Sequence, residues 1–317
     1  MPESMFEFCR YTKRQCQEWN DFLRQSKNAT FLFDRNYMDY HAERFEDASV
    51  MVFRRGRLYA LLPANRMENG VLVSHGGLTY GGLIMNDRAT AADICDLFIS
   101  LTGFLKEYGI HHVIYKPVPW IYHSCPAEED LYAIFSQCGA RLKSRSISTV
   151  VSWHHTIAPY RIRQTGLRKA EKTGIVVRKS EDWTEFWELL TENLLNKYHT
   201  RPVHSLGEIQ QLKQAFPEAL QLYAAYLDGR MLAGAVFYVT TNVVHAQYIS
   251  ASQEGKLLHA LDLLFPQCME EALQHRPFFD FGTSTGLQGD ELNRALIYQK
   301  EGFGGRAVCY DTYEWDI

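Results

Sequence analysis

Apolar positions along this chain follow two alternating periodicities, and the alternation occurs twice. Near residue 50 the stretch VMVFRRGRLYALLPANRMENGVLVSHGGLTYGG holds short runs of β-branched, aromatic and aliphatic residues, broken at Gly56 and Asn69. Near residue 222, LYAAYLDGRMLAGAVFYVTTNVVHAQYISAS repeats the pattern with breaks at Gly229 and Asn242. Runs of this length, bounded by residues that tolerate turn geometry, predict strand, turn, strand, turn, strand in each stretch. The breaks keep step, for Gly56 and Gly229 are 173 residues apart and so are Asn69 and Asn242.

Each strand region is followed by apolar residues at helix spacing: Ala91, Ile94, Leu97, Phe98, Leu101, Phe104 and Leu105, then Leu257, Leu261, Leu264, Phe265, Cys268 and Met269. Pro266 is expected to kink the second helix or divide it. Beyond each helix come a short apolar strand (HHVIYKPVP, FFDFG), another helix (DLYAIFSQCG, ELNRALIYQKEG) and a last strand ending TVVSW or DTYEW. Further helices are read at about 14–25 and 182–196. The order β-β-β-α-β-α-β therefore appears twice. It predicts a duplicated α/β chain with domains at 1–155 and 156–317, in which 156–180 forms a basic connector.

Composition narrows the class. With 46% apolar and 22% charged residues the chain reads as globular and soluble. A net charge of −4 and a pI near 6.3 argue against wholesale coating of nucleic acid, while leaving room for a local basic patch. The seven cysteines are scattered, without CxxC pairs or metal-ligand spacing, and read as reduced thiols. The N-terminal stretch lacks an unbroken apolar core like that of a signal peptide, and no window approaches the ~18 apolar residues of a membrane span. These features point to the cytoplasm. His111 with His112, and His154 with His155, would diverge on a strand and make poor ligand pairs, so no metal is expected. HExxH and P-loop motifs are absent.

Several residues invite chemistry. In FFDFGTSTG, alternation puts Phe279 and Phe281 on one face and Asp280 on the other, where it either orients a substrate amine or accepts hydrogen bonds from the turn that follows. Thr283 and Ser284 share that ambiguity. The segment SHGGLTYGG, read as a strand rich in glycine, makes His75 and Tyr80 candidate cleft residues. On HAQYIS, alternation groups His245, Gln247 and Ile249, with Gln247 as the ligand contact and Tyr248 in the core. From Arg161 to Lys179 there are seven Lys or Arg and one Glu, a cluster able to hold phosphate through Arg168, Lys169 and Lys172 or simply to face solvent.

The element order, the duplication, and the stretches LRKAEKTGIVV, FFDFGTS and LNRALIYQKEGFGGR together resemble the GNAT N-acyltransferase fold in its Fem-like branch of peptidoglycan-bridge aminoacyltransferases. The resemblance implies two tandem GNAT-like domains, each a mixed, mostly antiparallel sheet flanked by helices. It also implies acyl or aminoacyl transfer to an amine, with acyl-CoA or aminoacyl-tRNA as co-substrate and no tightly bound cofactor. The acceptor would be a cell-envelope precursor, a nucleotide sugar or a small metabolite, and tRNA would be a partner if it supplies the donor. By the same resemblance Tyr298, four residues before Gly302, would protonate the leaving group, and Lys300 matches the lysine of the Fem-like FK pattern. Tyr198 and His204 fall where acceptor loops lie, with His204 able to take the amine proton. Phe135 occupies the tyrosine's place in the first half, so chemistry is assigned to the second. The pyrophosphate loop is only partly matched by QEGKLLHA, which sets acyl-CoA against aminoacyl-tRNA as donor. Two other readings stay open: a non-catalytic RNA- or ligand-binding module, and a partner in polysaccharide assembly.

Overall fold

The computed structural model describes residues 5–286 and 289–317. In chain order the first part of the chain forms β1 (Phe6–Arg10), α1 (Cys16–Leu23), α2 (Arg35–Met38), β2 (Glu46–Asp47), β3 (Val50–Arg54), β4 (Arg57–Leu62), β5 (Asn65–Met67), β6 (Val71–Ser74), β7 (Ile84–Met85), α3 (Ala91–Glu107), β8 (His112–Tyr115), α4 (Glu129–Cys138) and β9 (Arg141–Ser152). There follow α5 (Arg161–Ala170), β10 (Val176–Ser180), α6 (Trp183–Tyr198), α7 (Leu206–Ala215), β11 (Leu220–Leu227), β12 (Arg230–Val239), β13 (Val243–Ala251), α8 (Gln253–Leu257), α9 (Ala260–Leu273), β14 (Phe278–Thr283), α10 (Arg294–Glu301) and β15 (Arg306–Asp316). No helix among the described residues is long and apolar enough to cross a membrane.

Two compact units result. One takes the residues up to Ser146 together with Cys309–Ile317; the other takes Ile147–Gly286 and Glu291–Val308. This is not the sequential division at 155. The end of β9 pairs with β14 inside the second unit, and the end of β15 pairs with β8 inside the first.

In the first unit, β1, β3, β4 and β7 form one antiparallel sheet, while β15, β8, β6, β5 and β2 lie side by side in another. The hairpin β3–β4 turns through Arg55 and Gly56, both at positive φ (50° and 68°), as a two-residue turn requires to match strand twist. The single second strand expected here is split into β4 and β5 at Pro63, which has no N–H to continue a ladder. SHGGLTYGG is likewise no strand: after Ser74 the chain runs in turns and irregular backbone to β7. Helices α3 and α4 cover the core of Ile94, Leu97, Phe98, Leu101, Val113, Tyr115 and Trp315.

Beside that core, Tyr115 donates its hydroxyl to Asp130 (2.6 Å) and accepts from the Leu83 amide (2.6 Å). Burial pushes the Asp130 carboxyl up to about 7. A carboxyl whose pKa is higher folded than unfolded contributes stability that is complete below the ordinary carboxylate range and is lost as pH rises through 7. Asp130→Asn is therefore expected to cost about 1 kcal/mol at pH 3, where the carboxyl is protonated in the folded and unfolded chain alike and one acceptor is lost. At pH 8 it should exceed the wild type by an amount on the order of 2–4 kcal/mol, read from urea midpoints at the two pH values.

In the second unit the order is β10-β11-β12-β13-β14-β9, antiparallel throughout except for the parallel pair β13–β14. Asp228 and Gly229 (φ 48° and 81°) make the same turn type as Arg55 and Gly56. Phe237, Phe265, Phe279, Phe281 and Phe303 form the centre of a core closed by α9. That helix continues through Pro266; the interruption falls instead between α8 and α9, where His259 is left-handed (φ 60°).

Candidate active site

In the second unit the sheet comes apart between β13 and β14. Strands β13 and β14 pair for three residues only, Val243 with Phe278, Val244 with Phe279 and His245 with Asp280, and then separate. Two local features end the pairing. Gly282 takes φ +76°, a conformation that side chains rarely adopt, and a Cβ there would meet the His245 ring at 3.3 Å. On β13 the register slips at Gln247, since Val236 pairs with Tyr248 and Phe237 with Ala246. A bulge of this kind turns the strand and changes the phase of its side chains. Ile249 consequently packs towards the core with Ala246 and Ala251, not beside His245 as strict alternation predicts.

At the last paired position the two polar side chains meet. His245 Nδ1 lies 2.8 Å from Asp280 Oδ2. Ser148 on β9 donates its hydroxyl to Asp280 Oδ1, and the Gly282 amide donates to the same oxygen at 2.8 Å. Asp280 is 0% exposed, so it presents no oxygen to solvent. Its role is to hold the groups around it.

Lys300 completes the floor of the fork. It is 8% exposed and donates Nζ–H to the carbonyls of Gly282 (2.8 Å) and Thr283 (2.7 Å), which the departing β13 leaves open. Its third N–H bond is spent on no described residue. Burial lowers its ammonium to about 8, against the opposing pull of Asp280. Gly302 beside it has φ −57° and lies against Arg163; the left-handed residue is Gly304 (φ 95°). Ser284 is buried with its hydroxyl unpartnered among the described residues, as is the hydroxyl of Thr149. Thr283 is exposed.

The fork thus gathers Asp280, Lys300, Thr283 and Ser284 from the expected residues. Tyr298 is elsewhere: two residues from Lys300 on α10, it faces another side of the helix, 55% exposed, its ring against Tyr160 (5.3 Å). His204 is buried, with Nδ1 2.6 Å from the Tyr248 hydroxyl, which ties the segment before α7 to the sheet; Tyr248, expected in the core, serves as that anchor. Tyr198 ends α6, exposed beside Lys197. Gln247 occupies the bulge, half-buried. In the first unit, His75 is buried with Nδ1 accepting from the Gly77 amide (3.1 Å). Tyr80 is a core residue, donating to Thr30 (3.2 Å), with its ring tilted against that of Tyr122.

Arg168, Lys169 and Lys172 are exposed on and just after α5, without ion pairs to described residues. Arg163 of the same cluster is committed, donating to Asp262 (2.6 Å) and lying over Phe303. The partial pyrophosphate loop is not built as one. Ser252 accepts from the Gly255 amide (2.9 Å), and a Cβ on Gly255 would fall 2.2 Å from the Leu232 carbonyl, so this glycine serves close packing on β12. No group of three or more metal-ligating side chains occurs among the described residues.

His245 and Ser148 are the residues of the fork that sequence reasoning did not single out. Their signal, a polar residue amid apolar ones on a predicted strand, was present, but their meeting with Asp280 depends on strand register.

Residues 160–291 match the family model described as Acetyltransferase (GNAT) domain. Among solved structures the chain is similar to FemX, with a TM-score of 0.70 at 13% identity over 98% of this chain and 97% of that one. It is also similar to L-PGS from Bacillus licheniformis, with a TM-score of 0.57 at 12% identity over 88% and 90%. A tandem GNAT protein from the clavulanic acid biosynthesis pathway aligns with a TM-score of 0.50 at 11% identity over 98% of each chain. At these identities the likenesses speak for the fold. No curated protein sequence matches the chain.

Proposed function

We propose that the chain is an acyltransferase of the GNAT fold and that its second unit, where the acetyltransferase-domain model matches, transfers an acyl or aminoacyl group to an amine at the β13–β14 fork. The observation that carries this reading is the fork itself: two parallel strands part beside a buried lysine that still has an N–H bond to give. A donor carbonyl lying there would have its developing oxyanion within reach of Lys300, and the strand amides released by the separation could hold the donor's arm. Such a reaction needs neither metal nor covalent intermediate, because a deprotonated amine held near attack distance adds directly to a thioester or ester.

For the donor, the packed Gly255 argues against a pyrophosphate loop between β13 and α8, and the unpaired Arg168, Lys169 and Lys172 offer an alternative seat for phosphate. The acceptor is an amine of a cell-envelope precursor, a nucleotide sugar or a small metabolite. The test is a matrix of acetyl-CoA and aminoacylated tRNA against free amino acids, amino sugars and nucleotide-linked amino sugars, with amide products detected by mass. At least one pair should give product. No product from any pair, together with salt-dependent tRNA binding, would instead favour the RNA-binding module.

Two controls sharpen the assignment. Tyr298→Phe should keep kcat within about threefold, since an exposed phenol outside the fork removes no stabilisation from the transition state. Neutralising Arg168, Lys169 and Lys172 to alanine together should raise the donor's KM about tenfold or more with kcat held, the signature of lost uniform binding to phosphate.

A further inference from the structure

We infer that His245 is the catalytic base of this site, accepting the acceptor amine's proton on Nε2, with Asp280 as the residue that positions it. The inference rests on the acyl-transfer reading above.

The geometry leads there in three steps. First, His245 Nδ1 is 2.8 Å from a carboxylate oxygen, and an imidazole that donates Nδ1–H to a carboxylate keeps its lone pair on Nε2. Second, Nε2 is bonded to no described residue and the side chain keeps 14% of its surface exposed, so the ring is not fully enclosed. Third, the orienting acid is itself over-determined: Ser148 and the Gly282 amide bond its other oxygen, which prevents the carboxylate from turning away. A base whose partner is oriented by further groups is the arrangement that general base catalysis requires.

The first unit argues that this polar pair is not a requirement of the architecture. There β6 and β8 run parallel with Val71 opposite His112, Leu72 opposite Val113 and Val73 opposite Ile114. Counted from the first paired position, Val73 and Ile114 stand where His245 and Asp280 stand. The same strand pair is thus built with two aliphatic side chains. Burying a carboxylate against an imidazole is costly by comparison and calls for a function.

In the reaction, the neutral amine nitrogen forms a bond to the donor's carbonyl carbon while its proton passes to Nε2. The tetrahedral intermediate then collapses with cleavage of the C–S bond of a thioester or the C–O bond of an ester. The departing thiolate or alkoxide takes the proton back from Nε2, leaving an amide, a free thiol or hydroxyl, and neutral His245.

The experiment uses the full chain and the donor–amine pair giving the fastest wild-type turnover in the matrix above. His245→Ala should lower kcat by about 10²–10⁴-fold with KM values within about threefold, and added imidazole should restore part of the rate in a saturable manner. His245→Asn, whose amide can still donate to Asp280 but cannot take a proton, should show the same loss at an unchanged melting temperature and no rescue, because the space remains filled. If His245→Ala fails to fold, the asparagine variant decides alone. Wild-type-like turnover in either variant, or a folded alanine variant that imidazole does not restore, overturns the assignment of His245 while leaving acyl transfer intact. Absence of transfer by the wild type with every pair overturns the reading beneath it.

Discussion

Replacing Asp280 by alanine is expected to cost about 3–5 kcal/mol of stability, the amount associated with removing one member of a buried charged network. The carboxylate accepts from Ser148, His245 and the Gly282 amide, and Ser148 and Gly282 are buried with it, so those two donors have no water to turn to. Lys300 would also lose the nearby negative charge that favours its ammonium. Asp280→Asn keeps one acceptor oxygen but sets an NH2 against one of the donors, so it should fall between wild type and alanine at about 2–3 kcal/mol. Urea unfolding at neutral pH measures both. A midpoint within error of wild type for the alanine variant would mean that the three donors find other partners and that the fork is far more hydrated than its burial indicates. The expectation differs from that for a freestanding catalytic acid, whose removal would abolish turnover and leave melting unchanged.

How far the site could be read in advance depended on the range of the interaction concerned. The turns at Gly56 and Gly229, the helix over 91–107 and the alternation that sends Phe279 and Phe281 inward are local, and each follows from spacing and turn chemistry. Asp280 stood out for the same reason, as one acid among phenylalanines. Its partners did not: His245 is 35 residues earlier and Ser148 is 132 residues earlier. Their meeting requires the register of β13 on β14 and of β14 on β9, which a single sequence does not print. A one-residue bulge at Gln247 moved Ile249 to the opposite face from the one alternation assigns. Tyr298 failed to join Lys300 for a reason available from helix geometry alone, because residues two apart on a helix diverge. Motif spacing placed both near the glycine and said nothing about direction. Gly302 lies against Arg163, contributed from α5, a contact between elements more than a hundred residues apart that motif spacing does not show.

Lys300→Met separates stability from chemistry more sharply than any other single change. At neutral pH the wild type keeps an ammonium in a place where burial has lowered its pKa from 10.5 to about 8. Because the folded value lies below the unfolded one, folding is penalised wherever the group must be charged, and stability should rise as pH increases from 8 to 10.5. A shift of this size corresponds to a penalty on the order of 3 kcal/mol at pH 7. Methionine removes that penalty and fills the same volume, but leaves the Gly282 and Thr283 carbonyls without their donor, a loss of about 1–3 kcal/mol for the pair. The opposing terms are of similar size, so the variant is expected within about 1 kcal/mol of wild type at pH 7 and should no longer gain stability between pH 8 and 10. Transfer, in contrast, should fall by about 10²–10³-fold in kcat, since the group proposed to meet the oxyanion is gone. Paired urea curves and steady-state rates check both halves. A variant that folds normally and turns over normally would remove Lys300 from the chemistry and leave it as a cationic clamp on two open carbonyls.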